Sequence, residues 1–316
     1  MNKVILSPGQ ANVIEKLCPL VHLATSGVVS KLPVRPRTST LLLGRSGTGK
    51  SHVARELAKQ CNLPIWEANV ANWIVLGARG ERHTMIDLVN WVQRHKSGII
   101  FLDELDKLNS DGDWVNNIRL EIHDLIDSRI PNGAFETEYK DKYDDHSTSL
   151  NTSNIKTSSV QEKLRTSFFI LGAGTCMGAW TSNKGGIGFG AMAVDNTQIS
   201  RKQVLDYMSP EILQRFRADI CFLEPLARND YLTVAASIMK RLPGRLVTPF
   251  GQALADSLPS ALEHGLGMRI FEEILADIWA VEFAQHRENP NVWVYLAKPE
   301  KRTGIATINV PNYRSE

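Results

Sequence analysis

From residue 38 to 226 the chain alternates short, continuous apolar runs with segments whose apolar residues recur at helical spacing. The runs fall at 38–43, 64–68, 99–103, 168–173 and 219–223, and the helical patterns at 50–61, 84–95 and 114–127. In the first helical pattern Val53, Leu57 and Cys61 share one face. Apolar runs without polar alternation suit strands covered on both faces. Their alternation with helices predicts an α/β fold built on a parallel sheet between helical layers. From 227 to about 288 only helical patterns remain, "NDYLTVAASIMKRL", "TPFGQALADSLPSAL" and "GMRIFEEILADIWAVEFAQH", which predict a small helical domain appended to the sheet domain. Residues 1–37 read as a helix ("GQANVIEKLCPLV") followed by a Pro/Arg linker, and 289–316 as a tail with one strand candidate, "NVWVYLA". Within the sheet domain, 131–166 is a polar, Ser/Thr-rich insertion whose composition does not predict a packed core.

Composition narrows the class. The chain has 316 residues, 43% hydrophobic and 22% charged, with a net charge of +2. That balance gives no whole-molecule electrostatic grip on nucleic acid. The stretch "FFILGAGTCMGAW" (168–180) is too short and glycine-rich to span a bilayer. "MNKVILSPGQ" lacks the apolar core of a secretory signal, so a cytoplasmic, membrane-free protein is expected. Cys18, Cys61, Cys176 and Cys221 are scattered, as buried thiols in a reducing compartment would be.

Candidate chemistry begins at "LLLGRSGTGKS" (41–51), which matches G-x-x-x-x-G-K-[ST] between a strand and a helix. Backbone N–H groups around Gly44, Ser46, Gly47, Thr48 and Gly49 can turn inward onto phosphate oxygens at a helix N-terminus. Lys50 would neutralise the β- and γ-phosphates, and Ser51 would place a hydroxyl on Mg²⁺. "GIIFLDELDKL" (98–108) supplies the complement, with Asp103 for Mg²⁺ and Glu104 to polarise an attacking water at a strand's C-terminal end. Together they predict binding and hydrolysis of ATP.

The order of these motifs resembles the AAA+ ATPases across roughly residues 38–285, with the two segments in the places of Walker A and Walker B. The resemblance implies a P-loop sheet domain followed by a helical lid. "FFILGAGTC" stands where that family has its sensor-1 strand, with Thr175 at the tip in place of the frequent Asn. "SPEILQRFRADICFLEPL" (209–226) is similar to the helix that delivers an arginine finger to a neighbouring subunit. Alignment on "RAD" selects Arg217 and alignment on "PEIL" selects Arg215; the first is preferred. "GLGMRIFEEIL" (265–275) resembles sensor 2, with Arg269 reaching the γ-phosphate. A finger donated in trans implies a homo-oligomeric ring, a hexamer by resemblance.

Two branches of the family share features with this chain. "GGIGFGAMA" (185–193), through Ile187 to Phe189, is similar to the loop by which ClpX-type unfoldases dock a protease. The cysteine-rich zinc domain of those unfoldases is missing from residues 1–37. The "RADI" and "GLGMR" stretches resemble the ATPases that remodel HORMA-domain proteins. Both branches thread a protein client through a pore. Setting "NVANWIVLGARG" against their pore loop puts Trp73 at the aromatic position and Ile74 at the hydrophobic one. A rival register, "GARGE" for "GYVGE", gives the role to Arg79. The alternative class is an AAA+ ATPase acting on nucleic acid, with Arg79, Arg82 and His83 following phosphates. A nucleotide-gated scaffold is the third.

Overall fold

The structure, a computed structural model, describes residues 4–79, 84–110, 112–130, 157–176 and 201–285. The chain divides into two compact units: Asn12–Arg45 with Lys50–Leu223, and Met1–Ala11 with Ser46–Gly49 and Glu224–Glu316.

The first unit is built on five parallel strands, β1 (Thr40–Gly44), β2 (Ile65–Asn69), β3 (Gly98–Asp103), β4 (Phe168–Gly174) and β5 (Cys221–Leu223), in the order β2-β3-β4-β1-β5. The sequence expectation of an α/β parallel sheet is met. The three central strands, β3, β4 and β1, are also the most continuously apolar, and every residue of β1 and β4 is buried. That follows from helices covering both faces. Edge strand β2 carries the half-polar sequence IWEAN and is more open. There Glu67 takes both ends of the Arg55 guanidinium, at 2.8 Å from Nε and 2.8 Å from Nη2.

Helices α1 (Pro8–Thr25), α2 (Lys50–Gln60), α3 (Val70–Arg79), α4 (Thr84–Arg94), α5 (Asp113–Ile126) and α6 (Thr157–Ser167) follow in chain order, then α7 (Arg201–Val204) and α8 (Pro210–Arg215). The α2 face anticipated from spacing is buried at Val53, Leu57 and Cys61. Two expectations are corrected. Residues 70–79 form a helix, with Asn69 Oδ1 accepting the Asn72 N–H at 3.1 Å as its N-terminal cap. The segment read as an unpacked insertion contains α6, which buries Val160 and Leu164; their i, i+4 spacing outweighs the polar composition around them. Residues 131–156 of that insertion and the tail from 289 lie outside the described residues.

In the other unit, α9 (Arg228–Met239), α10 (Gly244–His264) and α11 (Arg269–Gln285) enclose a core of their own around Tyr231, Phe250 and Phe271. No helix among the described residues is long and apolar enough to cross a membrane.

Candidate nucleotide site

The site starts at the C-terminal ends of β1, β4 and β3, which are neighbours in the sheet. After β1, Gly47 and Gly49 take φ of 84° and 87°, left-handed values that glycine adopts without steric cost. Lys50 opens α2 with its side chain folded back, Nζ donating to the carbonyls of Gly44 (2.8 Å) and Arg45 (3.2 Å). A buried ammonium curled along a loop of backbone amides is a cradle for an anion.

Ser51 follows on α2, and its hydroxyl donates to Asp103 Oδ2 at 2.7 Å. The side chains assigned to the cation therefore meet. Among the described residues no cluster of three His, Cys, Asp or Glu could hold a metal by itself. One carboxylate and one hydroxyl suit Mg²⁺, which keeps waters and takes its remaining ligands from phosphates. Next to Asp103, Glu104 leaves β3 in the left-handed region, at φ 61° and ψ 38°. Thr175 lies one residue beyond β4, and Asp106 accepts hydrogen bonds from both its amide and its hydroxyl.

In the helical unit, the loop tip Ser46–Gly49 meets the Gly265–Arg269 segment. Met268 N–H donates to the Gly47 carbonyl at 3.0 Å. A side chain on Gly47 would come within 2.5 Å of the Leu266 carbonyl, and Arg269 Cδ lies 3.9 Å from that position. The sensor-2 candidate is thus adjacent to the loop tip. Gln10 also reaches the tip, donating from Nε2 to the Thr48 carbonyl at 2.9 Å. Its Oε1 accepts the Ser7 N–H (3.0 Å) while Ser7 Oγ accepts the Gln10 N–H (3.2 Å), a reciprocal cap that holds the amide in place. The Ser-x-x-Gln spacing at 7–10 was the signal for this contact, and the sequence reading did not use it.

The two finger candidates differ in their partners. Arg215 Nε pairs with Asp127 at 3.2 Å, and its Nη1 donates to the Glu211 carbonyl at 2.8 Å. Arg217 Nη1 donates to the Arg37 carbonyl at 3.4 Å, and its buried Nε has no hydrogen-bond partner. The pore assignment to Trp73 and Ile74 is corrected. Trp73 is 2% exposed on α3 and edge-to-face with Trp66 at 6.4 Å. Ile74 packs against the same core. A side chain held this way is not available to grip a polypeptide. Arg79, at the end of α3, is exposed. Arg82, His83 and the Ile187–Phe189 segment lie outside the described residues.

Residues 40–131 match the model of the ATPase family associated with various cellular activities (AAA). The chain is 26% identical over 283 residues to the chaperone protein ClpB of Staphylococcus epidermidis, covering 84% of this chain and 28% of that protein. It is 25% identical over 243 residues to the ATP-dependent Clp protease ATP-binding subunit ClpE of Lactococcus lactis, covering 72% of this chain and 27% of the other. The ATP-dependent zinc metalloprotease FtsH of Pseudothermotoga lettingae is 31% identical over 111 residues, 31% of this chain and 18% of that one. The chain thus spans little more than a quarter of the Clp relatives it matches. Its parallel sheet, its glycine-rich loop and these matches make residues 40–131 similar to the AAA ATPase domain, and the chain resembles the Clp-type proteins at low identity.

Proposed function

We propose that the chain hydrolyses ATP with Mg²⁺ and uses the cycle to remodel protein clients as a subunit of a homo-oligomeric ring. The observation that carries the chemistry is the 2.7 Å meeting of Ser51 and Asp103 with Glu104 as the next residue. In this reading Mg²⁺ supplies charge that draws the terminal phosphate toward transfer. The loop amides and Lys50 hold the phosphates, Ser51 and Asp103 hold the cation, and Glu104 takes a proton from the attacking water. By the resemblance to sensor 2, Arg269 would reach the γ-phosphate. The names of the relatives, a chaperone and a Clp protease ATP-binding subunit, support a protein client. The ring, a hexamer by resemblance, is the assembly that a finger donated in trans would need; Arg215 is already paired with Asp127 within its own subunit, which supports Arg217 as the finger. With Trp73 buried, the register that puts Arg79 at the client is the one in keeping with the fold.

The test compares two variants with the wild type. Lys50→Ala should lose ATP binding, because the phosphates lose their ammonium. Glu104→Gln should bind ATP and not turn it over. Equal loss of binding in both would overturn these roles. Unfolded polypeptide should stimulate turnover more than single-stranded DNA does, and Arg79→Ala should blunt that stimulation. A preference for DNA would move the protein to the nucleic-acid class.

A further inference from the structure

A third carboxylate follows the Asp-Glu pair, and the roles above leave it without one. Asp106 lies in the 3₁₀ turn Leu105–Asn109 that continues from Glu104. Its Oδ1 accepts the Thr175 N–H at 3.1 Å and its Oδ2 accepts the Thr175 hydroxyl at 2.9 Å. Two bonds from two donors of one residue fix both the backbone and the rotamer of Thr175. The approach depends on strand β4. A side chain on Gly174 would lie 3.0 Å from Asp106 Oδ1, and one on Gly172 would collide with Leu105 and come within 2.6 Å of the Phe216 ring. The glycines of β4 are what let the turn lie against the strand. Because β4 sits between β3 and β1, Thr175 follows a strand flanked by the Asp-Glu strand on one side and by β1 on the other.

We infer that Asp106 is a positioning residue for hydrolysis: it takes the hydroxyl proton of Thr175, so that Thr175 faces the site as a hydrogen-bond acceptor. This rests on the ATPase reading above. A carboxylate has no proton to give, so the hydroxyl donates to it and every further bond at Oγ1 is one it accepts. An acceptor at this strand end orients an O–H of the attacking water. It does not donate to phosphate oxygens, as an amide side chain there would.

The experiment is a mutant cycle on the full chain with Mg-ATP, reading kcat and ATP affinity separately. Asp106→Asn keeps the size and one acceptor, but its amide would donate to Thr175 Oγ1 and release the hydroxyl proton. Asp106→Asn and Asp106→Ala should each lower kcat by about 10²-fold, the scale of a misplaced reacting group, with ATP affinity unchanged. In a Thr175→Ala background, Asp106→Asn should cost nothing further, because residues acting through one another are not additive. A packing role predicts instead that Asn rescues. Wild-type kcat in Asp106→Asn, or an undiminished loss in the Thr175→Ala background, overturns the inference. If Asp106→Ala does not fold, the Asn arm decides. A wild-type chain that turns over no ATP sinks the ATPase reading and this inference with it; a working wild type with either adverse result sinks this inference alone.

Discussion

Glu104 holds a conformation that L-residues avoid, at a cost of about 1–2 kcal/mol. Its neighbours hold it there. Asp103 Oδ1 accepts its N–H at 3.0 Å, and its carbonyl accepts the Lys107 N–H at 3.0 Å to start the 3₁₀ turn. Backbone strain of this kind persists where the surroundings over-determine it, and such places gather at working sites. Glycine would relieve it. Glu104→Gly should therefore be more stable than Glu104→Ala by about 1 kcal/mol or more, with both inactive. Urea denaturation measures the difference, and equal midpoints would mean the left-handed turn relaxes without its side chain.

At the scale of elements, α3 and α5 pack together through Gly77, whose missing side chain leaves Ile118 Cδ1 3.5 Å from the Cβ position. Trp73 is the largest side chain that α3 buries, so Trp73→Ala should cost about 3–5 kcal/mol of stability. A full-stability Trp73→Ala variant that had lost only its action on clients would restore Trp73 to the pore. On α5, His123 is buried with Nε2 unpartnered. Burial, and then the charge of Arg215, holds its pKa below the usual histidine value. The unfolded chain then takes up a proton near its ordinary value of about 6.5 while the native chain does not. This group therefore leaves stability flat above that pH and lowers it as pH falls below it. His123→Leu should flatten that acid limb in denaturation midpoints taken between about pH 5 and pH 8; an unchanged slope would assign the limb to other groups.

For the whole molecule, the ring reading makes each site dependent on a second subunit. An Arg217→Ala protomer has a sound cradle and no finger, and a Lys50→Ala protomer has the reverse. Mixing the two inactive variants should restore part of the hydrolysis, since a finger is worth roughly 10³–10⁵ in rate in related phosphoryl transfers. The same mixture with Arg215→Ala tests the other alignment. If neither arginine variant regains activity on mixing, the site is complete within one subunit.

The central strands and the glycine turn after β1 were legible in the sequence because each depends on neighbours in the chain. A run such as GIIFLD needs cover on both faces wherever it sits, and glycines at 47 and 49 permit left-handed turns whatever packs around them. Local composition misled where spacing carried the signal. The Val160–Leu164 face of α6 was hidden in a Ser/Thr-rich stretch, and the Val70–Trp73 face of α3 was taken for a loop. What the sequence could not supply was convergence. Ser51 and Asp103 are 52 residues apart, and Asp106 and Thr175 are 69 apart. Ser51 reaches Asp103 because α2 packs against β3, and Asp106 reaches Thr175 because β4 lies beside β3 and its glycines admit the turn after β3. Strand order is set by which apolar faces bury together, a choice no single segment encodes, and so only the tertiary structure decided it.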